Sequence, residues 1–509
     1  MLTKKAYFFP ILILLVLLVL LFIENLRQEL KLPSPGWSRS YNLNEKAVYP
    51  VKPYVRDSSI YFAGDSSVTK VECGDTLKCT KNKISGISLS GNSEFWAKDQ
   101  KVIYQDNDSL YVFDGKKAEE KEKGITSARI EKDWIVFWKE NELYVFDPVK
   151  ETSKLVKKFN QNIMDTAIEE HSFMTASVDS GKFQFNYFEK QGKGYKSTSL
   201  PLVSLVNNES LEGLNYFRSG SELHILLNTM RMSQGNKNYD LYEMVMNPAD
   251  MKAPVQMKKI ELRDAKTDEA YPNPRNINFR QTGKGENILF SEYGRRTSKN
   301  EGYNLYEAVK KNGKWEAERI STTRDLPVNS SWLGNDLAVW TAFSGKEYTL
   351  HAASTLPMAI EKSRQVSKED LKYAASNTVT VLFGSFIFLL FAMMWVILPT
   401  IYFAVLFFSK GNLFEDESKQ WIVLVPAVLL TVSQLYTFNT SFRAENFVVA
   451  PGYLTFPGSF IIWPILIALL SWGILKLSKI NDVNPPGKFF YFAVMDVLFL
   501  MFLLGPYIL

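Results

Sequence analysis

Histidine and cysteine are almost missing from this chain of 509 residues, which has three of the first and two of the second. A histidine- or thiolate-based metal centre is therefore hard to assemble, and no cofactor is expected. His171, His224 and His351 each fall in a predicted strand of a different repeat and read as core or surface residues. Cys73 and Cys79 enclose Gly74-Asp75-Thr76-Leu77-Lys78. That spacing suits either a disulfide closing a hairpin loop, which in so small a loop adds only modest stability, or two free thiols. Catalytic signatures are missing too. There is no H-E-x-x-H and no G-x-x-x-x-G-K-[ST], and the nearest approach to G-x-S-x-G is Gly86-Ile87-Ser88-Leu89-Ser90. Asp106-Asn107-Asp108 lacks the glycine and distal glutamate of an EF-hand and reads as a hairpin turn. Nor does one sign of charge dominate: 59 Lys and Arg stand against 54 Asp and Glu, interspersed along the chain. Nucleic acid is not an expected partner.

Long apolar runs, by contrast, are present at both ends. Ala6–Ile23 is uncharged and follows Lys4 and Lys5. The residues after it, Glu24-Asn25-Leu26-Arg27, carry no small-x-small cleavage signal, so a retained anchor is expected rather than a signal peptide. Four further spans are predicted at 375–408, 420–438, 456–477 and 489–509, which makes five helices in the membrane. Lys4 and Lys5 place the N-terminus on the cytoplasmic side, Lys476, Lys479 and Lys488 do the same for the last connection, and the connection between the third and fourth spans has only Arg443. The expectation is a multi-pass cell-membrane protein with the block between the first two spans, and the C-terminus, outside the cytoplasm.

That block is built from repeats. After a proline-bearing linker expected over 24–55, short strands recur, and SLYVFDG at 109–115 is echoed by ELYVFDP at 142–148. Weaker echoes are FNYFEK at 185–190, DLYEMVM at 240–246, NLYEAVK at 304–310 and TLHAAS at 349–354. Leu110 and Leu143 are 33 residues apart, whereas Leu241 and Leu305 are 64 apart, with polar insertions between. Several short strands per period point to an all-β propeller over 56–360 rather than a sandwich. Seven cycles can be counted; the irregular first group leaves six and eight blades open. Ser367, ahead of Lys368-Glu369-Asp370, is a helix N-cap with Asp370 in the first turn. Residues 361–374 then form either a helical stalk or a solvated linker. If unbroken to 408, apart from a kink at Pro399, that helix is about 60 Å long.

The clearest repeat, Tyr271 to Thr322, resembles the WD40-like repeat of TolB-type propellers. Pro272 and Phe279 precede a turn holding Gly283 and Gly285; Ile288-Leu289-Phe290-Ser291 follows as a buried strand and Gly302-Tyr303-Asn304-Leu305-Tyr306 as the next, with an exposed strand from Trp315. Arg280-Gln281-Thr282-Gly283 replaces the family's Ser-Pro-Asp-Gly turn. The resemblance implies a fold and a habit of binding partners on the propeller faces, not an activity.

Within the last span, Asp496 is an ionisable residue between Val494-Met495 and Val497-Leu498, and so a candidate functional group. Its plainer role is packing, hydrogen-bonded to Ser433, Gln434 or Thr437. The loop 439–454 adds Arg443 and Glu445 as candidate outer-face residues. The predicted cytoplasmic segments are too short for a catalytic domain. The expected function is a non-enzymatic envelope protein whose membrane-anchored propeller acts as a binding, scaffold or receptor component with a protein partner. The alternative is transport or lipid handling by the helical bundle, with the propeller as gate or receptor and Asp496, Arg443 and Glu445 as working residues. An outer-face enzyme built from scattered carboxylates is a third class.

Overall fold

A computed structural model of the chain describes residues 4–507 other than 88, 90–93, 180–181, 193, 205–208, 249–256, 283–284, 297–300, 416–418, 442–449 and 481–482. It divides into a β unit, residues 32–296 with 300–365, and a helical unit, residues 1–31 with 366–509.

The β unit consists of seven sheets, six of four strands and one of five. Their first strands are Tyr54–Arg56, Phe95–Lys98, Ser127–Glu131, Ile163–Ile168, Glu209–Ser219, Arg275–Thr282 and Leu326–Leu333. Each lies beside the next, and the last lies beside the first. They therefore ring one axis as the inner strands of a seven-blade propeller, here numbered blades 1 to 7 in that order. Sequence dictates the layering within a blade. Second strands such as Ser59–Ala63, Trp134–Lys139 and Leu337–Phe343 are continuous apolar runs because neighbouring blades cover both their faces. Phe62, Phe137 and Trp340 are among the largest fully buried side chains, each worth roughly 1.5–3 kcal/mol in area removed from water. Outermost strands such as Ala118–Lys123, AEEKEK, are charged and exposed. The six sequence echoes occupy one structural position: every one falls on the third strand of its blade, in blades 2 to 7.

Closure of the ring corrects the expected linker. Residues 24–55 do not carry the chain away as an extended tether. Helix α1 (Lys4–Glu29) runs past Ile23, and Tyr41–Ala47 is the outer strand of blade 7, pairing antiparallel with Tyr348–Ser354 through Tyr41↔Ala352 and Ala47↔Tyr348. Trp37, Ser38 and Arg39 are buried, and the Ser38 amide donates to the Ser354 carbonyl at 2.9 Å. Prolines at 50 and 53 signal extended chain equally for a tether and for a strand border, and the partner strand lies some three hundred positions away. Helix α2 (Pro357–Ser363) seals the same blade. Ala359 is buried, its carbonyl accepts from Tyr41 Oη at 3.0 Å, and Ser363 Oγ accepts from the Arg39 amide at 3.1 Å. Residues 361–365 are thus tied to the propeller and form no stalk.

Each histidine has a distinct setting. His171 corrects the expectation of a strand, since it sits in the turn just before Ser172–Asp179. His224 lies on the Phe217 ring, with Nδ1 3.0 Å from Glu243 Oε1. His351, in blade 7, is 6% exposed; its Nε2 is 2.8 Å from Thr349 Oγ1, its Nδ1 has no partner among the described residues, and it stacks on Trp340. Burial lowers its pKa to about 4. The folded chain therefore holds His351 neutral, while the unfolded chain takes up a proton near pH 6.5. Stability is complete above pH 6.5 and declines as pH falls towards 4, by about 3 kcal/mol from this one group. Denaturant titrations at pH 7 and pH 4.5 should show that loss, and His351→Phe should remove its share of the difference.

Among the described residues the helical unit contains five helical stretches long and apolar enough to cross a membrane: Ala6–Glu29, Lys368–Lys410, Trp421–Asn439, Ser459–Leu477 and Pro485–Tyr507. Helix α3 (Lys368–Ser385) starts at the expected cap: Ser367 Oγ accepts from the Asp370 amide at 3.1 Å and the Asp370 carboxylate accepts from the Ser367 amide at 2.8 Å. The helix expected from 368 to 408 with a kink at Pro399 is one helical stretch interrupted twice, so that α4 (Phe388–Trp395) and α5 (Ile397–Lys410) follow α3, the second interruption falling beside the expected kink. At the first break the amides of Phe386 and Ile387 bond three residues back, to Phe383 and Gly384. Gly384-Ser385 is the kind of pair at which helices bend, and Gly505 meets Ser385 so closely that a Cβ on it would lie 2.7 Å from the Ser385 Cβ. The second break, at Val396, precedes Pro399, which has no N–H for the Trp395 carbonyl. Helices α6 (Trp421–Ser441), α7 (Gly452–Thr455), α8 (Ser459–Leu477) and α9 (Pro485–Leu503) complete the unit. Polar stitches cross it: Asn25 Nδ2 to Thr378 Oγ1 at 3.0 Å, Trp395 Nε1 to Thr437 Oγ1 at 2.9 Å, and Tyr491 Oη to the Ala6 carbonyl at 2.6 Å.

Candidate functional site

Six of the seven inner strands carry a charged residue, that of blade 7 being the exception. In blade 3, SARIE places Arg129 between Ala128 and Ile130. Its guanidinium reaches Glu94 Oε1 at 2.7 Å, Asp165 Oδ1 at 3.0 Å and the Thr166 carbonyl at 3.0 Å. Glu94 Oε2 also accepts from the Ile130 amide, and Asp165 Oδ2 accepts from the Leu214 amide at 3.1 Å. Glu94 precedes blade 2, and Asp165 and Leu214 lie on the inner strands of blades 4 and 5, so one charged network staples four consecutive blades. The Asp165 carboxylate, then Glu94, holds the Arg129 pKa above the usual guanidinium value.

Inside the ring is a cavity of about 440 Å³ walled by the inner strands of blades 3 to 7 and by Lys52. It continues along the axis into a wider cavity of about 700 Å³ at the C-terminal ends of those strands. The two share Lys52, Glu131, Glu169, Tyr216 and Phe279. Glu131, Glu169 and Glu212 come from blades 3, 4 and 5, and none makes an ion pair among the described residues. Burial raises the Glu169 carboxyl pKa; nearby Lys132 opposes that shift, while Glu131 adds to it. The other arc is basic. Arg275 of blade 6 lies 4.7 Å from the centre of the Tyr239 ring and 5.4 Å from that of Tyr303, and its charge acts on the Glu292 carboxyl of the same blade. Lys52, just ahead of blade 1, has no partner among the described residues. At the wide mouth, Arg280 stacks over Trp332 at 3.3 Å and donates to the Gly334 carbonyl at 2.8 Å, and burial lowers its pKa. Ser172 Oγ meets Tyr216 Oη at 2.7 Å, and Arg218 pairs with Glu189 at 2.9 Å.

Many solved propellers match this architecture. The N-terminal domain of Nup159 matches with a TM-score of 0.39 at 9% identity, over 63% of this chain and 96% of that one. The WD40 domain of Toxoplasma gondii coronin matches with 0.37 at 9%, over 65% and 89%, and the WD40 domain of SCAP from fission yeast with 0.34 at 11%, over 63% and 94%. The likeness is one of fold. No protein-family model matches the sequence, and no curated protein matches it. Within the propeller, the narrower TolB-type resemblance rests on the residues quoted for it above.

Of the side chains singled out from sequence, His171 and the Phe279 and Arg280 of the clearest repeat line the wide cavity, whereas Cys73, Cys79 and Asp496 line neither cavity. Cys73 and Cys79 are joined in a disulfide where the third strand of blade 1 passes into the fourth. Asp496 is fully buried in α9, and Gln434 Nε2 of α6 donates to its Oδ2; Asp496 Oδ1 and Gln434 Oε1 have no partner among the described residues. Arg443 and Glu445 lie outside the described residues. Sequence reasoning passed over Lys52, Glu94, Arg129, Asp165 and Arg275. Their only signal was a charge in or beside the first strand of a repeat, visible once the repeats are aligned on their third strands.

Proposed function

We propose that this chain is a membrane-anchored, extracytoplasmic binding protein whose propeller receives a protein partner, with the apolar helices as its anchor. The observation that carries the reading is the 700 Å³ cavity at one end of the channel, lined by Tyr187, Tyr216, Phe279 and Trp332 among charged side chains from several blades. Aromatic and arginine groups in a recess open to solvent are the usual anchors of a protein interface. The five apolar stretches and the lysines beside the short connections support an inward N-terminus and an outward propeller. The test is a cross-linked pull-down from native membranes, comparing the full chain with one in which residues 24–372 hang from α1 alone. Both should recover the same partner. Recovery only with the complete bundle would transfer the function to the helices and favour the transport or lipid-handling reading, in which Asp496 is the residue to replace.

A further inference from the structure

Asp496 lies near the middle of α9 and is fully buried, and so is Gln434 of α6. Helices α1, α3, α4, α6 and α8 pack against α9, and none of them brings a charge to Asp496 among the described residues. Helix α4 has no titratable side chain; those of α1 and α3 sit in the first or last two turns, Lys476 of α8 is next to its last residue, and Tyr436 of α6 is 72% exposed. On α9 itself, Lys488 belongs to the first turn, Tyr491 donates to the Ala6 carbonyl, and Tyr507 follows the helix. The hydrogen bond to Asp496 comes from Gln434 Nε2, which donates to Oδ2. The second oxygen of each group, Asp496 Oδ1 and Gln434 Oε1, has no partner among the described residues. An amide oxygen and a carboxylate oxygen are both acceptors, so neither can satisfy the other without a hydrogen between them. An ionised carboxylate with one amide donor in apolar surroundings is costly, and two unmet acceptors add to that cost.

We propose that Asp496 and Gln434 form a proton-binding site, in which the O–H of a protonated Asp496 donates from Oδ1 to Gln434 Oε1 while Gln434 Nε2 donates to Oδ2. The two planar groups then close an acid–amide ring between α9 and α6. One proton meets both of the oxygens left without a partner, and the seal around them keeps water from taking it. The consequence is a coupling between helix movement and a proton. When α6 and α9 part far enough to admit water, Asp496 meets aqueous conditions, in which an aspartate carboxyl ionises at about pH 3.9. Its O–H bond breaks, the electron pair stays on the carboxylate, and the proton passes to water. Opening therefore releases one proton and closing takes one up. Rising pH favours opening, by up to about tenfold per pH unit for as long as the closed pair stays protonated. The site belongs to the helical unit, so its failure would leave the reading of the propeller untouched.

The purified full chain in lipid nanodiscs is compared with Asp496→Asn by infrared difference spectroscopy at pH 7. A carboxylic-acid C=O band should be present in the wild type and missing from the variant, with no loss of carboxylate absorption. Gln434→Leu should move that band to higher frequency, as expected of an acid released from its hydrogen bonds; lost packing alone does not produce that shift. Loss of a carboxylate band in Asp496→Asn would show that Asp496 is ionised and would overturn the proposal. Hydrogen exchange of the α9 amides in the wild-type chain, corrected for the intrinsic rate, supplies a measurement that needs no variant to fold. Protection should fall at least threefold per unit between pH 6 and pH 8. In Asp496→Asn, where an N–H replaces the O–H of the ring, protection should not vary with pH. Wild-type protection that is independent of pH overturns the coupling.

Discussion

Arg129→Met is expected to destabilise the propeller by about 3 kcal/mol, read as a shift in the denaturant midpoint at constant slope. The figure is the lower end for breaking a buried pair, because the Arg129 side chain is 29% exposed and water can partly solvate what remains. The loss comes less from the arginine than from its partners. Glu94 and Asp165 are held in place by the Ile130, Thr166 and Leu214 amides, so they cannot swing away when the cation is gone. Two carboxylates from different blades would then face each other across a partly desolvated gap. Arg129→Lys should recover only part of the loss, since a single ammonium does not reproduce a planar fork that spans two carboxylates and the Thr166 carbonyl. Adding Glu94→Gln and Asp165→Asn to Arg129→Met should restore stability further than Arg129→Lys does. If the triple variant is instead as unstable as the single one, the loss is a packing effect and the charge staple is not what joins these blades.

The blades were legible in the sequence for a definite reason. The third strand of each blade touches its neighbours in the same way, and Leu143, Leu241 and Leu305 each fill a buried slot. A repeated environment selects a repeated residue, and so the period shows. The second strands were equally plain as apolar runs, and the Ser367 cap was local enough to be read from four residues. What could not be read was anything set by distant pairing. The strand at Tyr41–Ala47 buries only Leu43 and Ala47, as an edge strand does, and nothing near it names Tyr348–Ser354 as its partner. The helix break at 386–387 lies beside the close packing of Gly505 on Ser385, which composition does not register, whereas the break at 396 lies beside the Pro399 at which the sequence marked a kink.

The site was less legible than the fold because propellers assemble their axis from single residues contributed by separate blades. Arg129 and Asp165 are 36 positions apart, and Glu94 is 35 from Arg129. No motif window holds them together. Asp496 drew attention because a charge in an apolar span is conspicuous, whereas Arg275 in RNINFRQT is one polar residue among several. Conspicuousness in sequence measures contrast with neighbours. Convergence on an axis is a property of the ring.

The ring itself supplies the largest effect to be expected. Replacing Tyr41–Ala47 with a Gly/Ser segment of equal length should abolish the cooperative unfolding of the propeller and make blade 7 sensitive to protease in otherwise native conditions. Leu43 and Ala47 pack with Ile60, Phe62, Val339 and Leu350 in one cluster, so the strand joins blade 7 to blade 1 as well as completing its own sheet. Losing the Leu43 side chain alone costs about 2–5 kcal/mol, and each strand hydrogen bond adds about 1 kcal/mol. Those losses together approach the total stability of an ordinary domain, about 5–15 kcal/mol. The exposed edge of Tyr348–Ser354 would then be open to pairing with other chains, and aggregation should accompany the loss. Leu43→Ala separates packing from closure: it should lower the midpoint and leave a single transition. Should the Gly/Ser variant also unfold in one transition near the native midpoint, the seam between blades 7 and 1 is held by α2 and the inner strands, and the N-terminal strand merely decorates an already closed ring.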